Sequence, residues 1–170
     1  MLDSLLTSGS GFVREVAPLL EKKSLSVFRN NESSNDNILN ETHAQNVDDR
    51  YVALGDIQII KSADDPYLLL TGAVIDPSGA KKIDSVYVKI NEEPYLSFFG
   101  IKDPLVLRLS KRKRFRYNGF VRAVPLRLLK PGRNQLSILF TVKDNTYIFE
   151  PNIQINLDSD TISIKKSVKL

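Results

Sequence analysis

Residues 135–149, Gln-Leu-Ser-Ile-Leu-Phe-Thr-Val-Lys-Asp-Asn-Thr-Tyr-Ile-Phe, carry the strongest strand pattern of the sequence. Apolar residues recur at every second position of 135–142 and therefore share one face of a strand. These residues are Leu136, Ile138, Phe140 and Val142. Lys143-Asp144-Asn145 is a hairpin-type turn, and residues 146–149 are expected to pair back antiparallel. The stretch predicts a β-hairpin with one buried face.

Short apolar or alternating runs continue on both sides of this hairpin. Turn residues separate them, including Asp76-Pro77-Ser78-Gly79 and Lys130-Pro131-Gly132-Arg133. The predicted strands cover residues 56–61, 67–75, 85–91, 95–99, 116–124, 135–142, 146–149 and 153–157. Residues 95–99 either extend the strand before them or pair with it, so we expect about seven strands. Their number and spacing predict an all-β, immunoglobulin-like antiparallel β-sandwich over residues 51–157. No helix-sized apolar pattern separates the strands, which disfavours parallel α/β folds.

Residues 1–29 form a separate N-terminal segment with the pattern of a short helix. Phe12, Val16 and Leu20 recur at helical spacing. Pro18 lies inside this pattern and removes a backbone donor, so the helix is expected to be short or broken. It is either a docking or membrane-surface helix, or a packed or frayed terminal segment.

The two remaining segments are polar. Residues 30–50 are rich in Asn and Ser and predict a disordered linker, and residues 158–170 form a basic C-terminal tail. Charge is divided unevenly along the chain, because residues 1–50 hold eight acidic and five basic side chains. The net charge is therefore −3 for residues 1–50 and +7 for residues 51–170, which together give the total of +4. An electrostatic partner of residues 51–170 is expected to be anionic.

The sequence has no cysteine and a single histidine, His43. These counts exclude disulfides, thiolate ligands and cysteine nucleophiles, and they argue against a histidine-based triad or a multi-histidine metal site. No apolar run is long enough for a membrane-spanning helix, and the N-terminus lacks signal-peptide features. We therefore expect a cytoplasmic location if the chain is free-standing. If it belongs outside the cytoplasm, it is expected to be part of a larger protein.

Residues 108–117, Arg-Leu-Ser-Lys-Arg-Lys-Arg-Phe-Arg-Tyr, hold six basic residues, no acidic residue and two aromatics. Such a run can bind phosphates by charge, while Phe115 and Tyr117 stack on bases or sugar rings. Polynucleotides, anionic glycans and lipid headgroups all fit this chemistry. The candidate ligand-binding residues are Lys111, Arg112, Lys113, Arg114, Arg116 and Tyr117. The alternative is a solvated loop between two strands.

Acidic residues are the remaining candidates for chemistry. Those considered as acid/base pairs or calcium ligands are Asp64, Asp65, Glu92, Glu93, Asp144, Asp158 and Asp160. All of them lie at predicted turns, where Asp and Asn are favoured for backbone reasons. Phosphate-loop, nucleophile-elbow and zinc-protease motifs are absent from the sequence. We therefore predict a non-enzymatic protein without a cofactor or metal.

A set of turns and strands resembles a known module. The matching residues are Gly72-Ala-Val-Ile-Asp-Pro-Ser-Gly79, Val86-Tyr-Val-Lys-Ile-Asn91, Pro94-Tyr95, Phe99-Gly100, Asn118-Gly-Phe120, Pro125 and Leu129-Lys-Pro-Gly-Arg-Asn134. They resemble the immunoglobulin-like β-sandwich at the extracytoplasmic C-terminus of some bacterial multi-pass membrane proteins, notably glycosyltransferases that use lipid-linked sugars. The likeness covers residues 68–151.

This resemblance implies an accessory module of a cell-envelope, glycan-related membrane protein. As part of such a larger protein, it would lie on the extracytoplasmic face of a bacterial membrane. Its partners would be a parent or neighbouring membrane protein and an anionic glycan or lipid headgroup, and it supplies no catalytic residue. Two alternatives remain open. One is a nucleic-acid-binding β domain that uses residues 111–116, and the other is a structural or assembly protein with exposed edge strands.

Overall fold

The computed structural model describes residues 43–61, 66–79, 82–158 and 162–166. The predicted N-terminal helix and most of the predicted linker lie outside these residues. The described strands are β1 (Gln45–Asn46), β2 (Val52–Leu54), β3 (Gln58–Ile60), β4 (Tyr67–Val74), β5 (Ser85–Ile90), β6 (Glu93–Leu96), β7 (Phe98–Ile101), β8 (Gly119–Pro125), β9 (Gly132–Val142), β10 (Asn145–Phe149), β11 (Ile153–Leu157) and β12 (Ile162–Lys166). A short helix, α1 (Val106–Leu109), and two 3-10 turns, Lys113–Phe115 and Leu126–Leu128, connect them.

A seven-stranded sheet is built around β9. This strand pairs antiparallel with β5 along one side, and along the other it pairs with β10 near its end and β11 near its start. Its eleven residues are long enough to hold both partners. Three strands extend the sheet outward: β6 beside β5, β12 beside β11, and β1 beside β10 in the parallel direction.

A five-stranded sheet is built around β4 and β8. These two strands pair antiparallel over seven residues, with Thr71 opposite Val121. The other side of β4 pairs with both β2 and β3, and β7 lies beyond β8. The chain passes from one sheet to the other at Ser97, which lies between β6 and β7.

The two sheets face each other across one hydrophobic core. Leu70 of β4, Phe120 of β8, Val88 of β5 and Ile138 of β9 belong to the same buried cluster. Gly72 lies where a Cβ atom would come within 2.5 Å of the Phe120 ring, so this close approach requires glycine. The molecule is therefore an all-β protein with a sandwich-like arrangement of two sheets.

The predicted all-β class and the β9–β10 hairpin are confirmed, including the buried face of β9. The predicted number of about seven strands differs from the twelve in the described part of the chain. Residues 93–101 divide into two strands of different sheets, and both β2 and β3 pair with β4. The first and last strands, β1 and β12, lie outside the predicted limits 51–157. Gln45 and Asn46 are polar and are held by backbone pairing, so they give no hydrophobic pattern.

The start of β8 also differs from the prediction. Its strand was expected from residue 116, but it begins at Gly119. Residues 113–118 instead form a 3-10 turn followed by a tight turn. This difference places most of the predicted basic run in a connection between strands.

Candidate anion-binding site

Residues 102–118, here called the basic connection, join β7 to β8. Backbone hydrogen bonds close several turns along this segment, and three of them lie within or beside the basic run. Ser110 N donates to Val106 O at 2.8 Å, Phe115 N to Arg112 O at 3.1 Å, and Asn118 N to Phe115 O at 2.8 Å. The basic run is therefore held in turns of defined geometry.

Two apolar residues anchor the basic connection to the outer face of the five-stranded sheet. Val106 is 1% exposed and Phe115 is 6% exposed, and both pack in a cluster with Ala73 and Ile75. Asn118 adds a polar attachment, because its side-chain Nδ2 donates to Val74 O at 3.1 Å. Phe115 is thus part of the packing, and the ring is not available to stack on a ligand as the sequence analysis proposed.

The cationic side chains of the connection lie on its solvent side, and the guanidinium carbon of Arg114 lies 4.7 Å from the centre of the Phe115 ring. Arg108, Lys111, Arg112, Arg114 and Arg116 are all exposed. None of the five forms an ion pair with a carboxylate in the described part of the chain. The backbone of the remaining candidate, Lys113, lies in the 3-10 turn Lys113–Phe115, and its side chain is outside the description.

Two of these guanidinium groups meet at the turn formed by residues 76–79. Arg114 donates a hydrogen bond from Nη2 to the carbonyl oxygen of Gly79. A Cβ atom at Gly79 would lie 3.9 Å from Nη1 of Arg112, so this guanidinium also borders the turn. Gly79 has a φ of +65°, a left-handed conformation that favours glycine. The fold thereby brings together two cations that can share one anionic group.

The acidic residue of this turn has a different role. Asp76 is 1% exposed, and its carboxylate accepts hydrogen bonds from the backbone N and the hydroxyl of Ser78. Gly79 N donates to Asp76 O at 2.7 Å and closes the turn. Asp76 therefore shapes the turn that the two arginines border.

Tyr117 is the exposed aromatic residue of the connection, with 48% of its surface accessible. The guanidinium carbon of Arg116 lies 4.7 Å from the centre of its ring. One face of Tyr117 is thus covered by a cation, and the edge, the hydroxyl group and the opposite face remain for contacts with a partner. Leu107 in α1 is the most exposed of the large apolar side chains that the structure describes, at 67%.

Several of the acidic candidates have structural surroundings. Glu92 forms an ion pair with Lys89 at 3.2 Å, and Glu93, Asp144 and Asp158 are exposed at or near turns. Asp64, Asp65 and Asp160 lie outside the described residues. Within the described residues, no three His, Cys, Asp or Glu side chains come together in a group that could hold a metal ion.

Two buried polar residues, one in the connection and one in β8, were not predicted from the sequence. Asp103 is 5% exposed, and burial raises the pKa of its carboxyl group; Oδ1 accepts a hydrogen bond from Leu105 N at 2.8 Å. Arg122 in β8 is also 5% exposed, and burial lowers the pKa of its guanidinium. Each lies among turn or strand residues whose local pattern gives no sign of burial.

The fold and the site define an all-β, sandwich-like protein with an exposed cationic connection beside one sheet. The sequence matches no model of a known protein family, and neither the curated proteins nor the solved structures include a significant match. In the part of the chain that the structure describes, no helix has the length and apolar character needed to cross a membrane.

Proposed function

We propose that this chain is an immunoglobulin-like, non-enzymatic binding module of a cell-envelope, glycan-related membrane protein. It binds an anionic glycan or lipid headgroup through the basic connection. The observation that carries this proposal is the group of exposed cations, Lys111, Arg112, Arg114 and Arg116, which have no described carboxylate partner.

The order of strand pairing supports the immunoglobulin-like part of the proposal. In the five-stranded sheet, the strand order is β2, β4, β8 and β7, which corresponds to strands A, B, E and D of an immunoglobulin domain. In the seven-stranded sheet, the order is β10, β9, β5 and β6, which corresponds to strands G, F, C and C′. The additional strands β1, β11 and β12 extend this arrangement.

Electrostatics supports an anionic ligand. The positive charges of the basic connection repel each other, and an anion bound between them reduces this repulsion. Arginine binds phosphate, sulfate and carboxylate groups with two parallel hydrogen bonds, which gives geometric selectivity in addition to charge. Arg112 and Arg114 beside Gly79 are therefore the centre of the proposed site.

The roles of the acidic residues support a binding module. Glu92 balances Lys89, Asp76 fixes the 76–79 turn, and Asp103 bonds to the backbone at the start of the turn before α1. Each of these carboxylates is engaged in a local contact. This distribution favours recognition by charge at the basic connection.

The proposal is tested by binding of the 170-residue chain to three polyanions: vesicles that contain phosphatidylglycerol, heparin, and a single-stranded oligonucleotide. The variant Arg112→Gln/Arg114→Gln/Arg116→Gln removes three cations of the site. The variant Lys130→Gln/Arg133→Gln/Lys165→Gln removes three exposed cations elsewhere and has the same net charge. Vesicles of phosphatidylcholine alone measure binding that is independent of charge.

We expect the wild type to bind the vesicles or heparin, with an affinity that falls as salt rises. The site variant should lose about a hundredfold in affinity, since each cation near an anionic surface contributes about 1 kcal/mol. The control variant should retain most of the affinity. Equal losses in the two variants, or no binding to vesicles and heparin, would refute the proposal. If the chain binds the oligonucleotide more tightly than it binds vesicles and heparin, the nucleic-acid alternative replaces the proposal.

A further inference from the structure

We propose that the basic connection docks on the surface of an anionic lipid bilayer and that Leu107 and Tyr117 enter the interfacial layer. This inference rests on the proposed function and selects the lipid surface as its ligand. It adds an apolar contribution to binding, beyond the attraction of charges. The two residues lie in the same connection as the cations of the proposed site.

The first observation is the position of Leu107. Single exposed leucines are common on protein surfaces and need no special explanation. Leu107 differs because the residue before it, Val106, is buried in the cluster that also holds Phe115. The same anchors therefore fix the outward direction of Leu107 and of the neighbouring cations. An exposed leucine on the same connection as several exposed cations matches the composition of surfaces that bind at the headgroup boundary.

The second observation concerns Tyr117. Tyrosine is favoured at membrane interfaces because its ring is apolar and its hydroxyl group is polar. The Arg116 guanidinium lies 4.7 Å from the ring centre, so the cation and the ring form one unit on the surface. In a bilayer, the guanidinium of this unit contacts phosphate while the ring lies in the layer below.

The same geometry favours a bilayer over a glycan. Sugar recognition uses open aromatic faces and hydrogen bonds, and Arg116 leaves one face of Tyr117 for such a contact, so the distinction depends on Leu107. The aliphatic side chain of Leu107 offers nothing to a hydroxylated, sulfated or carboxylated chain. Transfer of the Leu107 side chain from water to the boundary of the acyl chains is favourable in free energy. A lipid surface is thus the anionic ligand that uses the cations and both exposed apolar residues.

The first experiment measures sedimentation of the chain with vesicles of phosphatidylcholine and phosphatidylglycerol, and binding to heparin in parallel. Leu107→Ser and Tyr117→Ser should each lower partitioning into the vesicles by about tenfold, because the apolar contribution is lost. Heparin binding should stay at the wild-type level. Leu128→Ser is the matched control, since Leu128 is 40% exposed in the 3-10 turn 126–128 on another part of the surface. It should partition like the wild type.

A second readout uses the absence of tryptophan from the sequence. Leu107→Trp introduces a unique fluorophore, and the emission should shift to shorter wavelength and be quenched by brominated lipids. Leu128→Trp should show neither effect. If Leu107→Ser and Tyr117→Ser bind vesicles as the wild type does, or Leu107→Trp stays unquenched, insertion is refuted. In that case, loss of binding in the triple arginine variant would still uphold the proposed function, whereas unchanged binding in that variant would refute both.

Discussion

Arg122 of β8 donates a hydrogen bond from Nη1 to the carbonyl oxygen of Leu96 in β6, at 3.0 Å, and thereby connects the two sheets. Its guanidinium also lies 5.6 Å from the centre of the Tyr95 ring. Arg122 shares a strand face with Phe120 and Val124 of the core, since successive side chains of a strand alternate. The Nε atom is buried without a hydrogen-bond partner in the described structure.

Replacement of Arg122 separates the contribution of packing from that of the charge. Arg122→Ala leaves a cavity and should lower the free energy of unfolding by about 2–4 kcal/mol. Arg122→Met keeps most of the volume and removes a buried charge with an unpaired donor, so its effect should be within about 1 kcal/mol of the wild type. Urea denaturation measures both. Equal destabilisation by the two changes would show that the hydrogen bond to Leu96 O, rather than packing, dominates the contribution of Arg122 to stability.

Asn134 is a fully buried polar side chain, with 0% exposure, that makes several hydrogen bonds. Its Nδ2 donates to the carbonyls of Lys130 and Gly132 at 2.8 and 3.1 Å, and its Oδ1 accepts from Lys130 N and from Asn91 Nδ2. Asn134→Ala should cost about 2–4 kcal/mol because several buried groups lose partners. Asn134→Asp should cost more, since it places a carboxylate against two carbonyls. Thermal unfolding of both variants checks this order, and a more stable Asp variant would contradict it.

Asp103 should make stability depend on pH. Burial raises its pKa above the value of 3.8 that it has when exposed. The folded protein then keeps a proton that the unfolded chain releases, so this contribution to stability falls as pH rises from 3.8 through the raised pKa. Asp103→Asn keeps an oxygen for Leu105 N and removes the buried charge. The variant should be more stable than the wild type at pH 7, with a smaller difference at pH 3 to 4.

The control for this measurement is Asp48→Asn. The hydrogen bonds of Asp48 with Arg50 lower the pKa of its carboxyl group, which is the opposite direction. Loss of this pair should therefore leave the protein slightly less stable at neutral pH, and the deficit should disappear in acid. A gain in stability in both variants would contradict the assignment for Asp103.

Phe115→Ala should release the basic connection from the sheet while the main core stays folded, because Phe115 belongs to a separate cluster from the core between the sheets. Hydrogen exchange at Phe115 N and Asn118 N, which close two turns of the connection, should accelerate strongly. Exchange in β9 should change little. Binding to anionic vesicles should also weaken, because the cations are no longer held together. If hydrogen exchange in β9 accelerated as much as exchange at Phe115 N and Asn118 N, the whole domain would be opening, and this view would be contradicted.

The sequence contains the main signals of the fold. Alternation in residues 135–142 predicts the buried face of β9, and the turn at Lys143 follows with a φ of 55° that suits a tight hairpin. The division of residues 93–101 has no such local signal. Strand-forming residues occur on both sides of Ser97, and the change of sheet is set by remote bonds, from Ser97 N to Val86 O and from Arg122 to Leu96 O.

The candidate site is visible in the sequence as a run of charge. Its geometry is not, because Arg114 bonds to Gly79, 35 residues earlier in the chain. The burial of Phe115 depends on Ala73 in β4 and on Ile75 directly after it. In the sequence, Arg122 of β8 looks like any solvent-facing residue of a strand, although it is buried. Contacts between distant segments therefore determine which members of the basic run face a ligand.

The most direct test of the account is chemical-shift mapping of backbone amides in the nitrogen-15-labelled chain during titration with short-chain phosphatidylglycerol. The account predicts that the largest shifts occur at Gly79 and in residues 107–117, and that the Arg112→Gln/Arg114→Gln/Arg116→Gln variant loses them. Shifts centred on the other exposed cations, Lys130, Arg133 and Lys165, or spread evenly over the surface, would contradict it.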